Sequence, residues 1–312
     1  MEKINQAIGI DIGGTKIAVG TVDAKGAIIA RTEFATESAS GFDRAVQRIV
    51  SAMNQVANQV GWRREKLCGI GIGCAGPVNP KRGTIHNPYT LPGWEGCDIV
   101  TPLNKVFGVP VYLENDADAA VLGEAFAGAA RDCRDVVMLT FGTGIGTGIL
   151  VDGRLYRGFQ DEHPEMGHIP IEPDGPDCYC GNKGCFESIA SGSAIAEAGR
   201  ANNFRDSQHV FAAAGQGDPV AQKIVDRAVR ATATAAWTIL HTFLPQRIIL
   251  GGGIIDGHFE LFAAPVREAT AAATMVPRQQ IAVAKAQLGN DAGLVGAASL
   301  ALRPAEGEMK SR

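Results

Sequence analysis

The feature that most constrains this chain is a local pattern that occurs twice. Ala7 to Gly13, Lys16 to Asp23 and Ala27 to Thr36 read as three β-rich runs joined by glycine-containing turns, the signature of an antiparallel meander. Asp135 to Gly142, Gly146 to Asp152 and a short run from Arg154 repeat it, again with a glycine-rich turn between the first two strands. Helical periodicity comes after each copy. Phe42, Ala45, Val46, Ile49, Met53, Val56 and Val60 fall on one face of a helix, and further helices are expected near 117–130, 188–201, 219–243 and 292–302. Strands at 69–73, 109–113 and 247–250 complete an α/β alternation. Such self-similarity predicts an internal duplication: two similar lobes with an interlobe cleft, a place where small ligands bind. The expected division is 1–117 plus 292–312 for an N-terminal lobe and 118–291 for a C-terminal lobe, with a frayed polar tail after Pro304.

Charge and composition narrow the partners. The 29 Lys and Arg against 33 Asp and Glu leave a formal charge of −4, so no nucleic-acid partner is expected. No run reaches the roughly 18 to 20 apolar residues of a membrane span. Met1 to Gln6 lacks the pattern of a secretory signal, and the expectation is a cytoplasmic protein with no membrane partner. Glycine is the outlier at 39 of 312 residues, so much of the backbone must turn sharply or approach something closely.

Several segments carry possible chemistry. In Asp11-Ile12-Gly13-Gly14-Thr15-Lys16 adjacent glycines expose backbone N–H groups and Thr15 adds a hydroxyl, which can cradle an anion; a plain hairpin turn explains the pair equally well. A Walker loop is excluded, because Thr-Lys stands where Lys-Ser/Thr is needed and a strand comes next in place of a helix. Gly71-x-Gly73-x-x-Gly76 matches a dinucleotide fingerprint, but Pro77 and Pro80 forbid the helix it requires. Gly142-Thr143-Gly144 lies at the matching point of the second meander, which suggests a two-sided phosphate clamp. Gly251 to Gly253, including Gly252, is a place for close backbone approach to a nucleotide or an ordinary turn. Asn115 and Asp116 stand between a strand and a helix. Asp116 or Asp118 can cap that helix, and Asp116 can equally serve as a base for a substrate hydroxyl.

His168, Cys178, Cys180 and Cys185 form the sharpest constellation: three thiolates and one imidazole are a closed tetrahedral set for structural Zn²⁺, with a disulfide as the alternative among seven cysteines. Glu165 and Glu187 flank this set and would be held rigidly by it, or are simply solvated carboxylates.

Taken in order, Asp11-Ile-Gly-Gly-Thr-Lys16, Gly76-Pro-Val, Leu91-Pro-Gly-Trp94, Glu114-Asn-Asp-Ala-Asp-Ala-Ala120, Gly142-Thr-Gly-Ile-Gly146, Glu165-x-Gly-His168 and Cys178-x-Cys-Gly-x-x-Gly-Cys-x-Glu187 resemble the ROK family of repressors, open reading frames and kinases, over about 7–302. The resemblance implies a two-lobed actin-like (ribonuclease H-like) α/β fold, commonly dimeric, and an ATP- and Mg²⁺-dependent sugar kinase. It implies Asp116 as the base, Asn115, Gly76, Glu165, His168 and Glu187 as sugar contacts, and His168 also on zinc. Asp11 would help hold Mg²⁺, while Gly13, Gly14, Thr15, Lys16, Gly142, Thr143, Gly144 and Gly252 would line the nucleotide. Glucose is the expected substrate, with N-acetylmannosamine or N-acetylglucosamine as the alternative, since Asp174 to Cys178 is similar to the N-acetylmannosamine kinase branch and Tyr89-Thr90 replaces the asparagine common before Leu91. The family also contains sugar-responsive transcriptional regulators, but only ten residues precede Asp11, where those proteins carry a helix-turn-helix domain.

Overall fold

The computed structural model describes residues 6–61, 67–277 and 280–302, so the N-terminal segment 1–5 and the polar tail lie outside the described residues. The described residues form two compact units, one within 6–132 with 159–163 and 291–302, the other within 133–158 with 164–290.

In the first unit the meander is β1 (Gln6–Ile12), β2 (Lys16–Asp23) and β3 (Ile28–Ala35), followed by helix α1 (Phe42–Gln59) and strand β4 (Leu67–Cys74). A three-stranded flap of β5 (Val78–Asn79), β6 (Thr84–Ile85) and β7 (Cys97–Asp98) precedes helix α2 (Val100–Phe107), strand β8 (Val111–Asn115) and helix α3 (Asp116–Ala127). The sheet order is β3-β2-β1-β4-β8, antiparallel within the meander and parallel beyond β1. The periodicity of α1 buries Ala45, Ile49, Ala52, Met53 and Val56, each large side chain contributing roughly 1.5–3 kcal/mol by leaving water.

The unit boundary falls after Asp132, not at 117/118 as the sequence suggested. Helix α3 lies so close to the closing helix (Ala292–Leu302) that a Cβ on Gly123 would strike the carbonyl of Ala292, and one on Gly296 the carbonyl of Ala119. That backbone contact holds α3, and with it the chain as far as Asp132, in the first unit. The same closing helix presses on the sheet at Gly71, whose Cβ would overlap Ala297, so these glycines serve helix–sheet packing rather than a dinucleotide turn.

The second unit repeats the plan. Strands β9 (Val136–Phe141), β10 (Ile145–Val151) and β11 (Arg154–Leu155) form its meander, and β12 (Arg247–Gly251) and β13 (Ala282–Lys285) extend it in parallel, giving the order β11-β10-β9-β12-β13. Its helices are α4 (Phe186–Ala190), α5 (Gly192–Arg200), α6 (Ser207–Gly215), α7 (Pro219–Phe243) and α8 (Gly253–Ala272). The single helix expected at 188–201 is broken at Ser191, whose side chain accepts the Ala194 N–H and starts α5 afresh. Helix α8 was not anticipated after the glycine run, nor were α2 and α6. The core centres on Phe141, Phe186, Ile239, Leu250 and Phe262, with Phe141 edge-on to Phe186 at 5.8 Å.

Candidate active site

In the first unit Asp11 occupies the penultimate position of β1, before the turn to β2. Gly13 N–H donates to the Lys16 carbonyl at 3.0 Å and the Thr36 hydroxyl donates to the Gly13 carbonyl at 2.7 Å, so the turn is fixed from both sides. Gly14 is backed by Thr90, whose Cβ would lie 3.0 Å from a Cβ placed there. The Asp11 carboxylate rests against the first turn of the closing helix, where only glycine at 293 leaves room for it, at 2.9–3.0 Å from an added Cβ. Burial pushes its pKa from 3.8 to about 7, the negative charge of Asp116 adds to the rise, and Lys16 and Arg31 oppose it. Asp11 and Asp116 therefore share one electrostatic neighbourhood, and the carboxylate of Asp11 is a hard oxygen donor of the kind that suits Mg²⁺.

Asn115 ends β8 and caps α3: its Oδ1 accepts the N–H groups of Ala117 at 2.8 Å and Asp118 at 3.2 Å. The sequence had offered Asp116 or Asp118 for that task. Asp118 is instead fully buried, with its Oδ2 2.7 Å from Nδ1 of His163, and Asp116 sits half-buried in the first turn. Asn115 also explains Gly76, because a Cβ there would lie 2.5 Å from the Asn115 amide nitrogen. Asn87 is taken up by the bend before Leu91, donating to the Ala75 carbonyl and to Thr90 and accepting from the backbone of Tyr89 and Thr90.

In the second unit, His168, Cys178, Cys180 and Cys185 converge, their ligand atoms all lying within 4.8 Å of one another. The loop that carries them is pinned by bridges Pro170–Cys185 and Asp177–Lys183 and by Cys178 N–H donating to Asn182. The Cys180 and Cys185 sulfurs are 3.6 Å apart and all the cysteines are free thiols, which sets aside the disulfide reading. Tetrahedral zinc with bonds of about 2.3 Å gives ligand separations of about 3.8 Å, so the set fits Zn²⁺. Nδ1 is the His168 nitrogen that faces Cys178, at 3.4 Å. Burial pushes the Cys185 thiol up to about 12 and raises Cys178, whereas a hydrogen bond from the Asn182 backbone lowers Cys180. Zinc supplies the positive charge that would hold all three as thiolates.

Glu187, in the first turn of α4, reaches the turn between β9 and β10: its Oε2 accepts the Ile145 N–H at 2.7 Å and would lie 2.5 Å from a Cβ on Gly144. Glycine at 144 thus makes room for this carboxylate. Tyr179 donates to Glu187, and its pKa is raised by burial first and by Glu187 second. Glu165 is exposed, three residues before His168.

Gly142 and Thr143 form one wall of a cavity of about 380 Å³, within the usual range for small-molecule pockets. Three helices begin at its rim: α5 at Gly192 and Ser193, α6 at Asp206 to Gln208, and α8 at Gly253. Helix N-termini carry partial positive charge, but the first N–H groups of α5 already donate to Gly142, Thr143 and Ser191, and Asp206 caps α6. Gly192 N–H donates to the Gly142 carbonyl at 2.8 Å, fixing α5 to the turn. Gly252 has φ 93°, and a Cβ there would overlap the backbone of Phe141, so the residue that links β12 to α8 beside the turn must be glycine. Phe211 and His258 stack at 4.1 Å on another wall, and burial lowers the His258 pKa. Of the residues lining this cavity, the sequence analysis singled out Gly142 and Thr143 but not Ser193, Gln208 or His258, for which the Asp206-Ser207 capping pair was the available signal.

The chain is similar to known proteins along nearly its whole length. The model of the ROK family matches residues 7–304. A glucokinase of Thermotoga maritima is 36% identical over 310 residues, covering 94% of this chain and 96% of the relative. An N-acetylmannosamine kinase of Citrobacter koseri is 34% identical over 298 residues, covering 94% and 98%. Among solved structures, the ROK glucokinase of Streptomyces griseus in complex with glucose and AMPPNP superposes with a TM-score of 0.78 at 35% identity, covering 95% of this chain and 98% of that one. The ROK hexokinase of Thermus thermophilus gives 0.82 at 33%, covering 94% and 96%. With its duplicated meander-and-helix units and motifs in register along the chain, the protein belongs to the ROK family and has the actin-like α/β fold of that family.

Proposed function

We propose that this chain is an ATP-dependent hexose kinase that transfers the γ-phosphate of ATP to a hexose 6-hydroxyl, with D-glucose as its substrate. The observation that carries the reading is the placement of Asp116: Asn115 Oδ1 caps α3 by accepting the Ala117 and Asp118 N–H groups, and Asp116, whose Oδ1 shares the Ala117 N–H, stands half-buried in the first turn within electrostatic reach of Asp11. In this reading Asp116 accepts the proton of the sugar hydroxyl as it attacks phosphorus. Phosphoryl transfer passes through a loose transition state, so alignment and charge neutralisation do most of the work and the proton leaves late. Asn115 and Gly76 shape the sugar contact around Asp116, and Glu165, His168 and Glu187 hold further hydroxyls. With Nδ1 of His168 turned to the thiols, Nε2 keeps the proton and donates to the sugar.

Gly13, Gly14, Thr15 and Lys16 from the first meander, and Gly142, Thr143, Gly144 and Gly252 from the second unit, receive the nucleotide; the cavity beside Thr143 accommodates its base and ribose. Mg²⁺ held by Asp11, directly or through water, supplies charge neutralisation for the phosphates, and Zn²⁺ is structural. We read the enzyme as a cytoplasmic homodimer; among the described residues no helix is long and apolar enough to cross a membrane. Sedimentation at micromolar concentration tests the dimer.

The likeness to N-acetylmannosamine kinases favours one second reading, an N-acetylhexosamine substrate. A coupled assay across glucose, mannose, fructose, N-acetylglucosamine and N-acetylmannosamine decides between them. Highest kcat/KM on glucose is expected; a higher value for an N-acetyl sugar replaces glucose with that sugar.

A further inference from the structure

Tyr179 stands between two of the thiols, Cys178 and Cys180, in a position that no motif singled out. Its side chain is 63% exposed, yet both of its ends are engaged. The ring meets the imidazole of His168 edge to face, with centroids 5.0 Å apart at 90°, and the hydroxyl donates to the carboxylate of Glu187. The backbone on either side is tied down, Cys178 N–H to Asn182 and Gly181 N–H to Cys178. Glu187 already receives the Ile145 N–H on Oε2 at 2.7 Å. One hydrogen bond leaves a carboxylate able to pivot about that contact, whereas a second donor from another direction fixes its plane.

We propose that Tyr179 is a positioning residue for the sugar, orienting the Glu187 carboxylate with its hydroxyl and the His168 ring through their perpendicular ring contact. The proposal rests on the reading of Glu187 and His168 as sugar contacts. Both groups are then set before the sugar arrives, so their ordering is not charged against binding. Because Tyr179 lies within the metal-ligand loop, the loop acts on the sugar through this side chain as well as through His168.

The test is steady-state kinetics with zinc analysis on Tyr179→Phe, Tyr179→Leu and Glu187→Gln. Tyr179→Phe loses only the hydroxyl, and its sugar KM should rise about tenfold while the KM for ATP and a content of about one zinc per chain are retained. Tyr179→Leu also loses the ring contact and should raise the sugar KM further. If Glu187→Gln raises the sugar KM and Tyr179→Phe does not, the inference falls and the reading of Glu187 stands. If neither raises it, Glu187 is no sugar contact and both fall. A parallel rise in the KM values of sugar and ATP, accompanied by loss of zinc, would show that Tyr179 merely supports the loop, and it too overturns the proposal.

Discussion

The two meanders have the same strand order and direction, and each places a glycine-rich turn between its first two strands. They have been given different chemistry. The first turn is charged: Asp11 precedes it, Lys16 succeeds it, and Asp11 feels Asp116. The second carries no ionisable residue from Phe141 to Gly146, is held by Glu187 reaching in from 42 residues away, and faces a cavity with three helix N-termini. Duplication supplied one scaffold twice. The groups packed against each copy made one turn charged and left the other neutral and buttressed by a distant carboxylate.

The largest effect that could break this division of labour is at Asp116. Asp116→Ala or Asp116→Asn should lower kcat by about 10²–10⁴-fold, the usual range for loss of a positioned base. Thermal melting should stay close to wild type, because Asn115 is the cap. Near-normal turnover would remove Asp116 from the mechanism; Asn115→Ala, by contrast, should cost about 1 kcal/mol of stability.

Metal removal should come next. Chelation, or Cys180→Ser, is expected to release about one zinc per chain and raise the sugar KM steeply, with a lower melting temperature. Retained zinc in the Cys180 variant would show that this thiol is not a ligand.

A matched pair of glycine substitutions sharpens the comparison itself. Gly144→Ala puts a methyl 2.5 Å from a Glu187 oxygen that also holds Ile145, and should lower kcat/KM by about 10²-fold through misplacement. Gly14→Ala meets the Thr90 Cβ at 3.0 Å, a less severe approach that a few tenths of an ångström of movement in the exposed bend at Thr90 relieves, so a milder loss is expected. Equal losses would mean that Glu187 is not what makes the second turn different.

The smallest effect concerns pH. Asp11 keeps its proton in the folded protein up to about 7 but releases it near 3.8 when unfolded, so the folded state binds more protons between those values. Its contribution to stability therefore falls as pH rises through that window and is at its least favourable above about 7. Asp11→Asn should flatten this slope in thermal melts. Mg²⁺ at pH 8 should raise the melting temperature of wild type by a few degrees and leave the variant unmoved; an equal rise in both would place the cation elsewhere.

Much of the fold was legible in the chain because its signals are local. Period-two runs marked both meanders, a 3.6-residue spacing marked α1, and the helix expected near 219–243 is α7. The clustering of soft donors was legible for a similar reason, since three thiols and an imidazole lie within 18 residues of sequence, from His168 to Cys185.

The sequence alone determined the repeated architecture, the soft-donor cluster and the set of residue types that can do phosphoryl chemistry, all properties of neighbours along the chain. Only the tertiary structure decided which of Asn115, Asp116 and Asp118 caps α3, since Asp118 is taken by His163, 45 residues on. It also decided that Gly144 yields to Glu187, that α3 belongs with the closing helix, and that three helices open on one cavity. Those outcomes depend on contacts between residues far apart in the chain, and no local period or spacing encodes which distant side chain will arrive.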